Sequence, residues 1–191
     1  MSGRKTKRNL NELVDELDAI TSLSKDRFAH LSSAQLNWKP GLDRWSIGQC
    51  FDHLMTANEP YFPIFERIAK GEKKNSLWES MPFVPGLFGG LLVKSLDPSS
   101  TRKLKAPKPF MPLASDLDDR IIERFAAQQE DLSEAMAALE GRDLDAIKVT
   151  SPALKLITYS LRDACTIIVV HEQRHLQQAE RVLTSAQFPA S

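Results

Sequence analysis

SLRDACTIIVVHEQRHLQQAERVLT, residues 160–184, lays apolar residues at helical spacing and then breaks the stripe with HEQRH, His171 to His175. At about 100° per residue His171, His175 and Gln178 share one face, and Ala164, Ile167, Ile168 and Val182 lie on the same side. The apolar face of such a helix points into a core, so polar side chains there require partners. An imidazole buried without one costs about 1–3 kcal/mol, and protonation in that setting costs more. A cation shared between neutral rings removes both costs, and imidazole is the commonest metal-ligating side chain.

A third histidine comes from WSIGQCFDHL, residues 45–54. Ser46 followed three residues later by Gln49 reads as a capping box, with Trp45 placed to staple onto the first turn. The helix that starts at Ile47 continues through His53, Tyr61 and Ile68 to Gly71, bent where Pro60 and Pro63 remove backbone donors. Cys50, Ala57, Ile64 and Ile68 lie within about 60° of His53 on the wheel, so this ring also looks inward. His53, His171 and His175 are therefore a candidate metal set with coordination positions left for water or substrate. Gln49, at i−4 from His53, and Gln178, at i+3 from His175, are candidates to hydrogen-bond the rings' other nitrogens. Cys50 reads as a packed core thiol or, one turn before His53, as a thiolate ligand. The plainer alternative is three separately satisfied core histidines. His30 has no such context and reads as a surface residue.

HEQRH also fits H-E-x-x-H, in which a glutamate between two zinc-binding histidines acts as general base. Here no histidine follows His175, Arg181 stands where the extended pattern needs one, and Glu180 is the sole later carboxylate. No edge strand is expected that could hold an extended peptide. A metallopeptidase is the weaker reading. Glu172 is then a catalytic proton acceptor or a solvated charge.

The rest of the chain supports an all-α fold. Leu10, Leu13, Val14, Leu17, Ile20, Leu23 and Leu31 mark helix one, and Leu117, Ile121, Ile122, Phe125, Leu132 and Met136 mark helix three, from Ser115 to Leu139 with Gly141 as its stop. Between helices two and three, residues 71–114 form a long Pro-rich connection with one short helix in its apolar part. No run alternates with period two, so no strand is expected. Residues 10–185 read as one four-helix bundle domain behind a flexible basic tail, 1–9. The 25 Lys and Arg balance the 25 Asp and Glu, which argues against nucleic acid as a partner. Cys50 and Cys165 in apolar helical settings imply reduced thiols and a cytoplasmic protein. The apolar stretch Met81–Val93 is cut by Pro82, Pro85, Gly86, Gly89 and Gly90 and is too short to span a membrane. It reads as a lid over the metal mouth or as a homodimer interface. The basic run from Lys94 to Lys108 reads as a solvated loop or an attractor for an anionic thiol.

Taken together, LSSAQLNWKPGLDRWSIGQCFDHL (31–54), the following Pro-rich connection, SPALKLITYSLRDA (151–164) and HEQRHLQQAERV (171–182) resemble the DinB-like superfamily of metal-binding four-helix bundles, over roughly Leu10 to Leu183. The resemblance implies an up-down-down-up bundle. It also implies that His53, His171 and His175 coordinate a divalent metal, zinc or nickel, with water in the open positions, and that Gln178 matches a glutamine found after the last ligand. Members of that family include metal-dependent transferases of low-molecular-weight thiols. The implied activity is a transferase or hydrolase reaction on a small-molecule substrate, with the metal activating a thiol or water. The alternative is a non-catalytic bundle that binds a small ligand or a partner subunit. GLFGGLLVKSL (86–96) and TRKLKAPKPF (101–110) depart from the family pattern and leave the substrate open.

Overall fold

Helix caps written into the sequence fix where most of the helices begin. The computed structural model describes residues 8–77, 79, 85–96, 110–112, 116–154 and 156–190. The tail residues 1–7, the basic stretch 97–109 and the first part of the apolar stretch, 81–84, lie outside the described residues.

Helix α1, Leu10–Phe28, opens with a reciprocal box in which the Glu12 amide donates to Asn9 Oδ1 and the Asn9 amide donates to Glu12 Oε2, both at 2.8 Å. It buries Leu13, Leu17, Ile20 and Phe28, and ends three residues before Leu31, which caps the core from a turn. A short helix α2, Ser33–Asn37, repeats the capping device with Ser32 and Gln35. Helix α3, Ile47–Asn58, starts at the expected Ser46–Gln49 box. The expected single bent helix to Gly71 is divided: a 3-10 turn, Glu59–Tyr61, holding Pro60, separates α3 from α4, Phe62–Ala69, with Pro63 in its first turn. Proline lacks the donor an α-helical interior needs but is tolerated in a first turn, so two prolines three residues apart force a restart. Gly71 at φ 74° and Gly141 at φ 76° follow α4 and the third long helix, in the left-handed region where only glycine is unstrained.

Helix α5, Pro85–Leu96, occupies the long connection and packs on the last helix. Helix α6, Ile121–Ala137, begins six residues after the expected Ser115. Two three-residue strands, β1 (Lys148–Thr150) and β2 (Thr158–Ser160), correct the expectation of no strands. They pair antiparallel with Lys148 opposite Ser160, Val149 opposite Tyr159 and Thr150 opposite Thr158. At three residues each they are too short to show an alternation in sequence. Their role is positional, because β2 delivers Ser160 as the N-cap of α7, Leu161–Leu183, where its hydroxyl accepts from the Asp163 amide at 3.0 Å.

The described residues are thus mostly helical with one two-stranded sheet. Helices α1 and α3 each pack on both α6 and α7. Phe28, Phe51 and Phe125 join them at the centre, with edge-on ring contacts of 5.3 Å for Phe28–Phe51 and 4.9 Å for Phe51–Phe125. Among the described residues, no helix is long and apolar enough to cross a membrane.

Candidate metal centre

Packing of α3 against α7 brings His53 opposite His171 and His175. His53 and His175 are buried, at 3% and 8% exposure, and His171 is half-buried. Ring centroids are 5.0 Å apart for His53–His171, 4.6 Å for His53–His175 and 4.7 Å for His171–His175. One ring nitrogen from each lies within 4.8 Å of the others. The Nε2 atoms of His53 and His171 are 3.1 Å apart. Two nitrogens about 2.1 Å from one ion, at tetrahedral or octahedral angles, would be separated by about 3.0–3.4 Å, so this pair already has coordination spacing.

The ring of His53 is held in one tautomer. Its Nδ1 lies 2.5 Å from the carbonyl oxygen of Phe110; a carbonyl only accepts, so Nδ1 carries the proton. The lone pair of the neutral ring is then on Nε2, the atom turned toward His171. At the third ring, Nδ1 of His175 is buried without a hydrogen-bond partner among the described residues. That orphaned atom, and the facing nitrogens beside it, are what a divalent transition ion satisfies. The donor set fits.

Electrostatics keep the rings in the ligating form. Burial is the main cause lowering all three imidazoles. His171 falls to about 3, with further lowering from His53 and Arg174. His175 falls well below its ordinary value, with His171, His53 and Arg174 adding to burial and Gln178 opposing it. For His53, the Phe110 carbonyl and Asp52 work against the desolvation.

Trp45 lies over two of the rings, stacked on His175 with centroids 5.4 Å apart and planes 18° apart, and 4.8 Å from His53. A family model described as the DinB superfamily matches residues 16–179. The chain belongs to the DinB superfamily. No match was found among curated proteins or among solved structures.

In this DinB superfamily chain the three histidines of the sequence reading come together, while their expected surroundings change. Gln49 takes part in the α3 cap, where its backbone N–H donates to Ser46 Oγ at 3.2 Å and its Oε1 accepts from the Ser46 amide at 3.3 Å. The partner of His53 is instead the Phe110 carbonyl, which sequence could not offer because every residue has one. A side-chain hydrogen bond links Gln178 to His175, while Nδ1 of that ring has no hydrogen-bond partner among the described residues. Besides its place just before the first turn of α3, Trp45 sets its indole against His53 and His175. Cys50 is a fully buried core thiol pushed up to about 12 by desolvation, and it is outside the histidine cluster. Cys165 is likewise free and buried. His30 is exposed.

Glu172 is not a solvated charge. It is wholly buried, and Oε1 accepts from Asn58 Nδ2 at 2.7 Å and from Gln129 Nε2 at 2.8 Å. Desolvation raises its carboxyl to about 7, against the pull of those two donors. Its Oε2 and Gln129 Oε1 have no partner among the described residues. These contacts tie Glu172 to the junction of α3, α6 and α7.

Proposed function

We propose that this chain is a metal-dependent enzyme acting on a small molecule, with His53, His171 and His175 holding one divalent transition ion, zinc or nickel. The observation that carries the reading is the convergence of three neutral ring nitrogens from two helices, with the His53 lone pair aimed by the Phe110 carbonyl. When bound, such an ion lowers the pKa of a coordinated thiol or water so that the nucleophile forms near neutral pH. Transferase chemistry on a low-molecular-weight thiol is the reaction type we favour, with hydrolysis as its variant.

The protein's own part is preparation of the site. Burial keeps the rings neutral, the Phe110 carbonyl fixes one tautomer, and Trp45 shields the His53 and His175 side. Substrate would then approach at His171, the ring with remaining exposure. In the same reading, residues 10–185 form one up-down-down-up four-helix domain built on α1, α3, α6 and α7. A peptidase role for Glu172 is not favoured, because its carboxylate is wholly buried and accepts from Asn58 and Gln129. The test is elemental analysis of untagged protein reconstituted with zinc or nickel. One equivalent is expected, and less than about a tenth of an equivalent would contradict the reading, since a preorganised three-imidazole site binds such ions tightly.

A further inference from the structure

Asn37, the last residue of the short helix α2, makes a two-way tie to the backbone of Leu117, where the long connection returns to the bundle. Its Oδ1 accepts from the Leu117 amide at 2.8 Å, and its Nδ2 donates to the Leu117 carbonyl at 2.6 Å. Nδ2 also donates to the Ser33 carbonyl at 2.9 Å, and Ser33 Oγ donates to the Leu117 carbonyl at 3.2 Å. One side-chain amide thus does for Leu117 what a neighbouring strand would do, satisfying its backbone donor and acceptor together.

The Leu117 side chain is seated as closely as its backbone. It is buried and lies in a notch on α3 at Gly48, where an added Cβ would come 2.9 Å from Leu117 Cδ1 and 3.2 Å from the carbonyl oxygen of Leu36. Five residues further along α3 stands His53, whose Nδ1–H donates to the carbonyl of Phe110, seven positions before Leu117. The connection therefore returns along α3, bound to His53 at Phe110 and to α2 at Leu117. A backbone carbonyl stays on one ring nitrogen only while the segment that carries it is ordered, and each residue ordered costs conformational entropy. The tie at Leu117 offsets that cost.

We propose that Asn37 is a positioning residue for the histidine cluster: through Leu117 it holds the Phe110 carbonyl on His53 Nδ1 and so keeps the proton off Nε2, the atom that faces His171. When the tie is lost, the proton is no longer confined to Nδ1 and the lone pair is divided between the two nitrogens. The consequence for metal affinity rests on the metal-centre reading above, whereas the tautomer of His53 does not depend on it.

The experiment records long-range proton–nitrogen-15 spectra of the imidazoles in the metal-free full chain at pH 7.5, where burial keeps His53 neutral. The His53 signals are assigned by their loss in H53A, and zinc affinity is measured on the same samples by competition with a chromophoric chelator. The variants are N37A, N37D, G48A and the control R162Q, which removes a tie from α7 to Asp145 and to the Arg8 carbonyl, away from the rings. Wild type and R162Q are expected to hold His53 as the Nδ1–H form alone. N37A should show a mixture with the Nε2–H form and bind zinc about tenfold more weakly, on the scale of losing a group that orients a ligand. N37D keeps the acceptor for the Leu117 amide without the donor to its carbonyl and should fall between. G48A should act as N37A does; alanine favours a helix over glycine, so its effect comes from a displaced Leu117 and not from a weaker α3. A pure Nδ1–H form in N37A, even with reduced stability, overturns the proposal, as does wild type in the Nε2–H form or an equal mixture in R162Q. If N37A does not fold, G48A decides by the same criterion. Wild type that holds the Nδ1–H form yet binds no zinc contradicts the metal-centre reading, and the tautomers of the variants still decide the role of Asn37.

Discussion

Replacing Glu172 by glutamine should stabilise the protein at alkaline pH and leave it nearly unchanged at pH 5. The carboxyl is wholly buried between α3, α6 and α7, and desolvation moves it from an ordinary 4.5 to about 7. A folded-state pKa above the unfolded one means the native state holds the proton more tightly, so this group's contribution is fully present below pH 4.5. It is lost as pH rises through 7. At about 1.4 kcal/mol per pKa unit, the ionised carboxylate costs the native state about 3 kcal/mol above pH 8. Glutamine keeps an oxygen for Asn58 Nδ2 and Gln129 Nε2, and adds a donor where Glu172 Oε2 and Gln129 Oε1 are both unpartnered. Urea unfolding of wild type and E172Q at pH 5 and pH 8.5, in chelator so that metal linkage cancels, reads the difference directly. A variant less stable by the same amount at both pH values would refute the desolvation argument.

Three further outcomes follow from other parts of the molecule. In metal-free E172Q, stability should fall by about 3 kcal/mol between pH 7 and pH 4 from His171 alone, because a histidine lowered from 6.5 to about 3 contributes stability above the unfolded value that is lost on acidification; adding His171→Ala should make the slope in the same urea assay shallower, leaving the part due to His53 and His175, and an unchanged slope would contradict the burial of His171. Trp45→Ala should weaken metal affinity by about 10–100-fold, the usual cost of removing a group that orients ligands, and Trp45→Phe should restore much of it; competition titration with a chromophoric chelator measures both, and wild-type affinity in the alanine variant would deny Trp45 its place over His175. Gly89→Ala should cost about 1–3 kcal/mol in thermal or urea unfolding, because a Cβ there would collide with the Asp163 side chain in the first turn of α7; a neutral result would mean that α5 does not lie this close to α7.

How far the sequence could be read depended on the length scale of each signal. Leu13, Leu17 and Ile20 on α1, or Ile121, Ile122 and Phe125 on α6, repeat over many turns, so those helices were legible from apolar spacing. Ser46–Gln49 located the start of α3 because a capping box is a local chemical device that needs no tertiary context. The break after Asn58 was only half visible: Pro60 and Pro63 announced a bend, but whether the chain bends or restarts depends on packing. Strands β1 and β2 escaped because three residues cannot display a period, and pairing partners eight or more residues apart leave no local mark. At the site, His53, His171 and His175 could be placed on inward faces by the wheel alone. What orients them could not. Phe110 serves through its backbone oxygen from a distant part of the connection, and Trp45 reaches across to His175 on α7. Both are tertiary facts without a residue-type signature.

The central claim is that these three rings share one cation. Its most direct measurement is cobalt(II) titration of untagged, metal-stripped protein, watched by visible absorption, for wild type and for His53→Ala, His171→Ala, His175→Ala and the control His30→Ala. The account predicts a saturable d–d spectrum at one equivalent for wild type and for His30→Ala, and its loss or marked weakening in each of the other three. Equal, unsaturated absorption in all five proteins, or a wild-type spectrum that survives removal of any of the three clustered rings, would contradict it.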